Sequence, residues 1–121
     1  MPTYYKVVTK IPDNKYVSAI VSGKARVEYK IGKYAMSPEW LLKNGYGLLV
    51  FDTIRNAKIF KGHNDKLFTC KCINKLPLKK RLSFIILRKG LDIFSSEQKG
   101  NFPEGSLMFE KVMLLEEIKD D

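Results

Sequence analysis

A chain of 121 residues with 45% hydrophobic residues is the size of one folded domain with a single core, which excludes a disordered or low-complexity chain. Lys and Arg number 22 against 13 Asp and Glu, a net charge of +9 that favours anionic partners. No run approaches the ~18 apolar residues of a membrane helix, and the first residues lack a secretory pattern, so a cytoplasmic protein without membrane contact is expected.

Residues 4–9 are rich in aromatic and β-branched types and predict a strand. Pro12-Asp13-Asn14 is a turn signal, because Pro presets φ and Asp and Asn tolerate turn geometry. Residues 16–21 predict a second strand, paired with the first as a hairpin, and Ser22-Gly23-Lys24 the next turn. Over 25–31, Ala25, Val27, Tyr29 and Ile31 share one face, and Arg26, Glu28 and Lys30 the other. That alternation is a half-buried strand, the third of a meander. Ser37-Pro38-Glu39-Trp40 opens a short helix over about 38–43, with Trp40 as its anchor, and Asn44-Gly45 closes it.

Leu48–Phe51 is an apolar run that predicts a strand covered on both faces. Asp52 is expected to cap a helix over about 53–61 that buries Ile54, Ala57 and Phe60 and ends at Gly62. Residues 67–73 return as a strand with Phe68, Cys70 and Cys72 inward and Thr69 and Lys71 outward. This strand–helix–strand unit is long enough for a right-handed crossover between parallel strands. A basic loop at 76–81, a buried strand at 82–87, a short strand at 91–94 and a polar loop at 95–105 follow. Residues 107–118 fit helix or strand. Strand is favoured, because Glu116, Glu117, Asp120 and Asp121 would crowd the negative end of a helix. Together these elements predict one α+β domain over 1–121. Its sheet is mixed and mostly antiparallel, with six to seven strands, two short helices and a frayed acidic end at 117–121.

Catalytic chemistry finds little support. His63, the only histidine, lies in a polar loop with nothing beside it to activate a nucleophile. Cys70 and Cys72 share a strand face with no second cysteine pair, which suits packed thiols better than a disulfide scaffold or a zinc site. Gly45 and Gly47 precede a strand, so no backbone amides gather there at a helix N-terminus to cradle phosphate. No catalytic residue, metal or cofactor is therefore expected, and a binding protein is favoured over an enzyme.

The charge is unevenly placed. Residues 36–90 hold twelve bases and three acids, whereas residues 91–121 hold three bases and eight acids. Arg26 and Lys30 project from one strand and Lys71 from another, while Lys79, Lys80, Arg81, Arg88 and Lys89 flank the strand at 82–87. If these strands are neighbours they form one cationic face for RNA, DNA or another polyanion, with Tyr4, Tyr5, Tyr16 and Tyr34 available to stack on bases. Binding of that kind is led by the phosphate backbone and is salt-sensitive.

The run G-x-G-L-L-V-F-D-x-x-x-x-A-x-x-F, followed by the strand at 67–73, resembles an element of ADP-ribosyltransferase-like folds. The resemblance covers residues 45–73 and implies, as an alternative, an enzyme or a catalytically degenerate protein on that scaffold. The family's pattern asks for an early Arg or His, a Ser or Tyr in a middle strand and a late Glu. Residues 4–9 offer neither Arg nor His, and Ser18, Tyr29 and Glu110 are the residues for the other places. A third expectation is a homo-oligomeric accessory protein that associates through its sheet edges.

Overall fold

The structure is a computed structural model, and it describes residues 3–19, 21–23, 26–43, 45–77, 91–93 and 104–119. Strand β1 (Tyr4–Ile11) passes through a 3-10 turn (Pro12–Asn14) into β2 (Lys15–Ser18), its antiparallel partner, with Val8 opposite Ser18. Asp13 and Asn14 hold φ of 73° and 57° in that turn, the left-handed region that short polar side chains tolerate. The second predicted strand stops at Ser18. The chain then forms β3 (Val21–Gly23), which leaves the main sheet to pair with β8 (Leu91–Ile93). The meander resumes with β4 (Glu28–Tyr29) beside β2, as expected.

Strand β5 (Tyr34–Met36), helix α1 (Glu39–Lys43), strand β6 (Leu48–Phe51), helix α2 (Ile54–Phe60), strand β7 (Asp65–Leu76) and strand β9 (Ser106–Ile118) complete the described elements. Residues 107–118 are thus strand. Gly45, at φ 86°, closes α1 by donating from its amide to Leu42 O at 2.9 Å. Gly47 is required by close approach, since a Cβ there would overlap the Phe109 carbonyl oxygen. Thr53, not Asp52, caps α2: its Oγ1 accepts from the Asn56 amide at 3.1 Å, while the Asp52 carboxylate accepts from Asn56 Nδ2 at 3.0 Å.

Seven strands form one α+β sheet with antiparallel pairing throughout the described residues. The expected parallel crossover does not form. Strands β6 and β7 are not neighbours, because each pairs antiparallel with both β1 and β9, on opposite edges of those strands. Antiparallel ladders are slightly stronger per residue, and the two long strands offer an edge to each. Pairings β1–β7, β7–β9, β9–β6 and β6–β1 therefore close into a ring.

Among the described residues, closure separates two apolar clusters. Inside the ring, Val8, Tyr29, Leu48, Val50, Phe68, Cys70, Val112 and Leu114 pack together. Tyr16 meets the Phe68 ring edge-on, with centroids 5.1 Å apart. Outside it, Val7, Ala19, Phe51 and Leu67 pack under Ala57 of α2. The alternation of Val7 and Val8 places successive side chains in different cores. Of the three apolar residues expected under α2, only Ala57 is fully buried, and Ile54 remains 36% exposed. Ile31, predicted to face inward, is 53% exposed because it lies in the turn after β4. The predicted strand at 82–87, most of the loop at 95–105 and the last two residues lie outside the described residues. No described helix is long and apolar enough to cross a membrane.

Candidate nucleic-acid interface

The outer face of β7, β9 and β5 carries four exposed side chains, Lys71, Ile73, Tyr34 and Met36, with Lys111 and Met113 half-buried between them. Val112 and Leu114 point into the ring, so Lys111 and Met113 point out. On β7, Cys70 is buried and Lys71 and Ile73 are exposed; on β5, Ala35 packs inward and Tyr34 and Met36 are exposed. The registers align these residues in rows. Lys71 lies opposite Met113, which lies opposite Tyr34; Ile73 lies opposite Lys111, which lies opposite Met36. Residues directly opposite one another share a face, so the rows alternate cations with apolar and aromatic side chains. Helix α2 covers the outer surface over Val7 and Leu67 and leaves these rows open.

A turn extends this surface. Lys33 N donates to Lys30 O at 3.1 Å, Gly32 takes φ 81°, and Gly32 N donates to Leu114 O at 2.8 Å. The last bond ties the turn to β9, so Lys30, Ile31 and Lys33 lead directly into Tyr34. Glu110, whose Oε1 accepts from Asn74 Nδ2 at 2.7 Å, is an acid already partnered at this end of β9.

Of the basic residues singled out in the sequence, Lys30 and Lys71 thus belong to strands and turns that converge on β9. Arg26 is exposed before β4, beyond Glu28, which pairs with Lys15 at 3.9 Å. Lys79, Lys80, Arg81, Arg88 and Lys89 lie outside the described residues. Lys33, Lys111, Met36 and Met113 were missed. The signal was present for β9: once 107–118 is a strand, an inward Val112 sends both of its neighbours outward. Tyr4, Tyr5 and Tyr16, offered as stacking residues, are half-buried and pack against the two cores, which leaves Tyr34 for this face.

A second basic feature lies at the other end of β7 and β9. A cleft of about 480 Å³ is lined by Lys10, Lys61, His63, Lys66 and Lys119, with Asp65 and Glu117. Asp65 shapes it: its carboxylate accepts from Thr9 Oγ1 at 2.7 Å and from the Gly62 amide at 2.8 Å, which fixes the loop that carries His63. His63 therefore sits among lysines in a polar recess.

The ring interior holds a different lysine. The Lys6 ammonium donates to Leu49 O at 2.6 Å and lies 5.2 Å from the centroid of the Tyr29 ring. Burial lowers its pKa from 10.5 to about 8, and the neighbouring thiols Cys70 and Cys72 oppose that shift. Burial likewise pushes the Tyr29 phenol up. Its hydroxyl has no hydrogen-bond partner among the described residues. Ser18 is near enough to ease its ionisation, but Ser18 Oγ is engaged with Val27 instead, accepting from its amide at 2.9 Å. Cys70 and Cys72 place their sulfurs 3.8 Å apart. Sequence reasoning passed over Lys6, although Lys6 and Val8 share a strand face.

Ser18 and Tyr29 are buried at this interior, whereas Glu110 is bonded in an exposed position to Asn74. The basic cleft is lined by none of the three. Among the described residues, no three His, Cys, Asp or Glu side chains come together as a metal site. No family model matches the chain, and no curated protein or solved structure matches it significantly.

Proposed function

We propose that the protein binds single-stranded nucleic acid, RNA or DNA, along the outer face of β7, β9 and β5. The observation that carries this reading is the pair of cross-strand rows, Lys71–Met113–Tyr34 and Ile73–Lys111–Met36, left open by α2. Lys30, Lys33, Lys71 and Lys111 supply phosphate contacts, Tyr34 supplies a π-face, and the methionines and Ile73 supply apolar support for unstacked bases. Stacking tolerates any base, so affinity rests on charge and stacking rather than on sequence. The lysines of the cleft around His63 offer a further place for backbone phosphate.

Titration of fluorescently labelled single-stranded RNA and DNA, read by anisotropy at low and moderate salt, tests this function. Binding at low salt that weakens steeply with added salt is expected. Absence of binding at low salt contradicts the proposal.

The same surface supports a second reading, contact between copies of this chain. Ile31, Met36, Ile73 and Leu115 are all more than a third exposed, and apolar residues gathered on an open sheet suit association. A mass that rises with concentration in light scattering, and falls for Ile73→Lys, distinguishes it. The enzymatic alternative on an ADP-ribosyltransferase-like scaffold draws less support, because Ser18 and Tyr29 are buried whereas the Glu110 carboxylate is bonded to Asn74 in an exposed position.

A further inference from the structure

We propose that Cys70 and Cys72 form a redox-active dithiol that exchanges with small disulfides of the glutathione class. Both thiols are free and lie on the same face of β7, with sulfurs 3.8 Å apart. Alternate residues of a strand have Cα atoms roughly 6.6 Å apart, at the upper end of the range for a disulfide, so closing the bond also requires the strand to pucker and draw the two Cβ atoms together. The β7–β9 ladder is already irregular beside this pair, where Leu115 of β9 falls between the partners of Thr69 and Cys70.

The two thiols differ in the way exchange requires. Cys70 is 3% exposed, and its hydrogen bond to the Cys72 sulfur together with burial keeps it protonated. Cys72 retains partial solvent access. The Cys70 S–H and the Lys6 ammonium both favour its thiolate, against the opposing effect of its own burial. Cys72 is therefore the attacking sulfur, Cys70 the resolving one, and Lys6 a positioning residue that stabilises the thiolate.

The exchange balances as follows. Ionised Cys72 attacks one sulfur of R–S–S–R; the Cys72–S bond forms, the S–S bond breaks, and RS⁻ leaves and takes up the proton that Cys72 released. Cys70 then attacks Cys72; the Cys70–Cys72 bond forms, the mixed disulfide breaks, and the second RS⁻ takes the Cys70 proton. The protein loses two electrons and two protons, and R–S–S–R becomes two RSH. A bond closed between residues so near in sequence is strained, which makes it readily reduced and reversible.

Folded protein is incubated with oxidised glutathione and its intact mass is followed. The expected result is a mass lower by two hydrogens without a lasting glutathione adduct, restored by dithiothreitol. Cys70→Ser stops at the glutathione adduct, and Cys72→Ser reacts about tenfold more slowly or less. Retention of both thiols by the folded wild-type protein overturns the proposal without recourse to any variant. Reaction of Cys72→Ser at the wild-type rate overturns the assignment of the attacking sulfur.

Discussion

Lys6 on β1 and Lys71 on β7 belong to strands that pair directly, yet they sit in opposite environments. Lys6 enters a closed ring beside Phe68, gives its ammonium to the Leu49 carbonyl and loses basicity through burial. Lys71 is exposed on a face where Met113 and Tyr34 continue its row. Strand alternation alone separates them: Cys70 and Cys72 point in, and Lys71 between them points out. The interior is thus a place where packing and desolvation decide, and the outer face one where contacts remain to be made. Nucleic-acid binding is expected on the second, and most of the stability on the first.

The largest effect that can break this division comes from truncating the interior. Phe68→Ala removes a side chain with no exposed surface and is expected to cost about 3–5 kcal/mol in urea unfolding, whereas Ile73→Ala on the open face changes stability by less than ~0.5 kcal/mol. Equal losses at the two sites would erase the distinction. Next in size, Tyr34→Ala is expected to weaken single-strand binding by about 1–3 kcal/mol in anisotropy titrations while the melting temperature stays put.

The pH dependence of stability probes the interior lysine. Its folded-state pKa, about 8, lies below its ordinary value of 10.5. Above pH 8 the unfolded chain binds more protons at this position than the folded one, so stability rises with pH; below pH 8 both states are protonated and its contribution is flat. The two thiols titrate nearby in opposite senses, the raised Cys70 lowering stability as pH rises and the lowered Cys72 increasing it, so between pH 8 and 9 the difference from Lys6→Met is what isolates the lysine. Urea unfolding across that window is expected to show a gain of about 1 kcal/mol in the wild type that Lys6→Met lacks. The smallest effect belongs to the face. Lys71→Ala is expected to reduce the slope of log affinity against log salt by about 0.7 for a single strand.

Much of the fold was legible because local chemistry and tertiary structure agree. The turn at Pro12–Asn14, the stop at Gly45, the burial of Leu48–Phe51 and the inward Phe68 and Cys70 all follow from residue type and period. Ring closure was not legible. Leu48–Phe51 reads as covered on both faces whether its neighbours are parallel or antiparallel, so the pattern cannot choose partners. The cap of α2 moved by one residue, because Asp52 and Thr53 are both competent and only backbone direction selects between them. The site was half legible. Lys30 and Lys71 were found from alternation, but Lys111 and Met113 depended on the register of β9, and Tyr34 was distinguished from the other tyrosines only by burial. Lys6 escaped because a lysine in a strand reads as solvated until its neighbours in space are known.

The location of the binding face is tested most directly by following backbone amide resonances as a short single-stranded RNA is added. The account predicts shifts concentrated at Lys71 and Ile73, at Lys111 and Met113, and at Lys33, Tyr34 and Met36, with the buried Val8 and Val50 unmoved. Shifts confined to other surfaces, or no shifts at all at low salt, would contradict it.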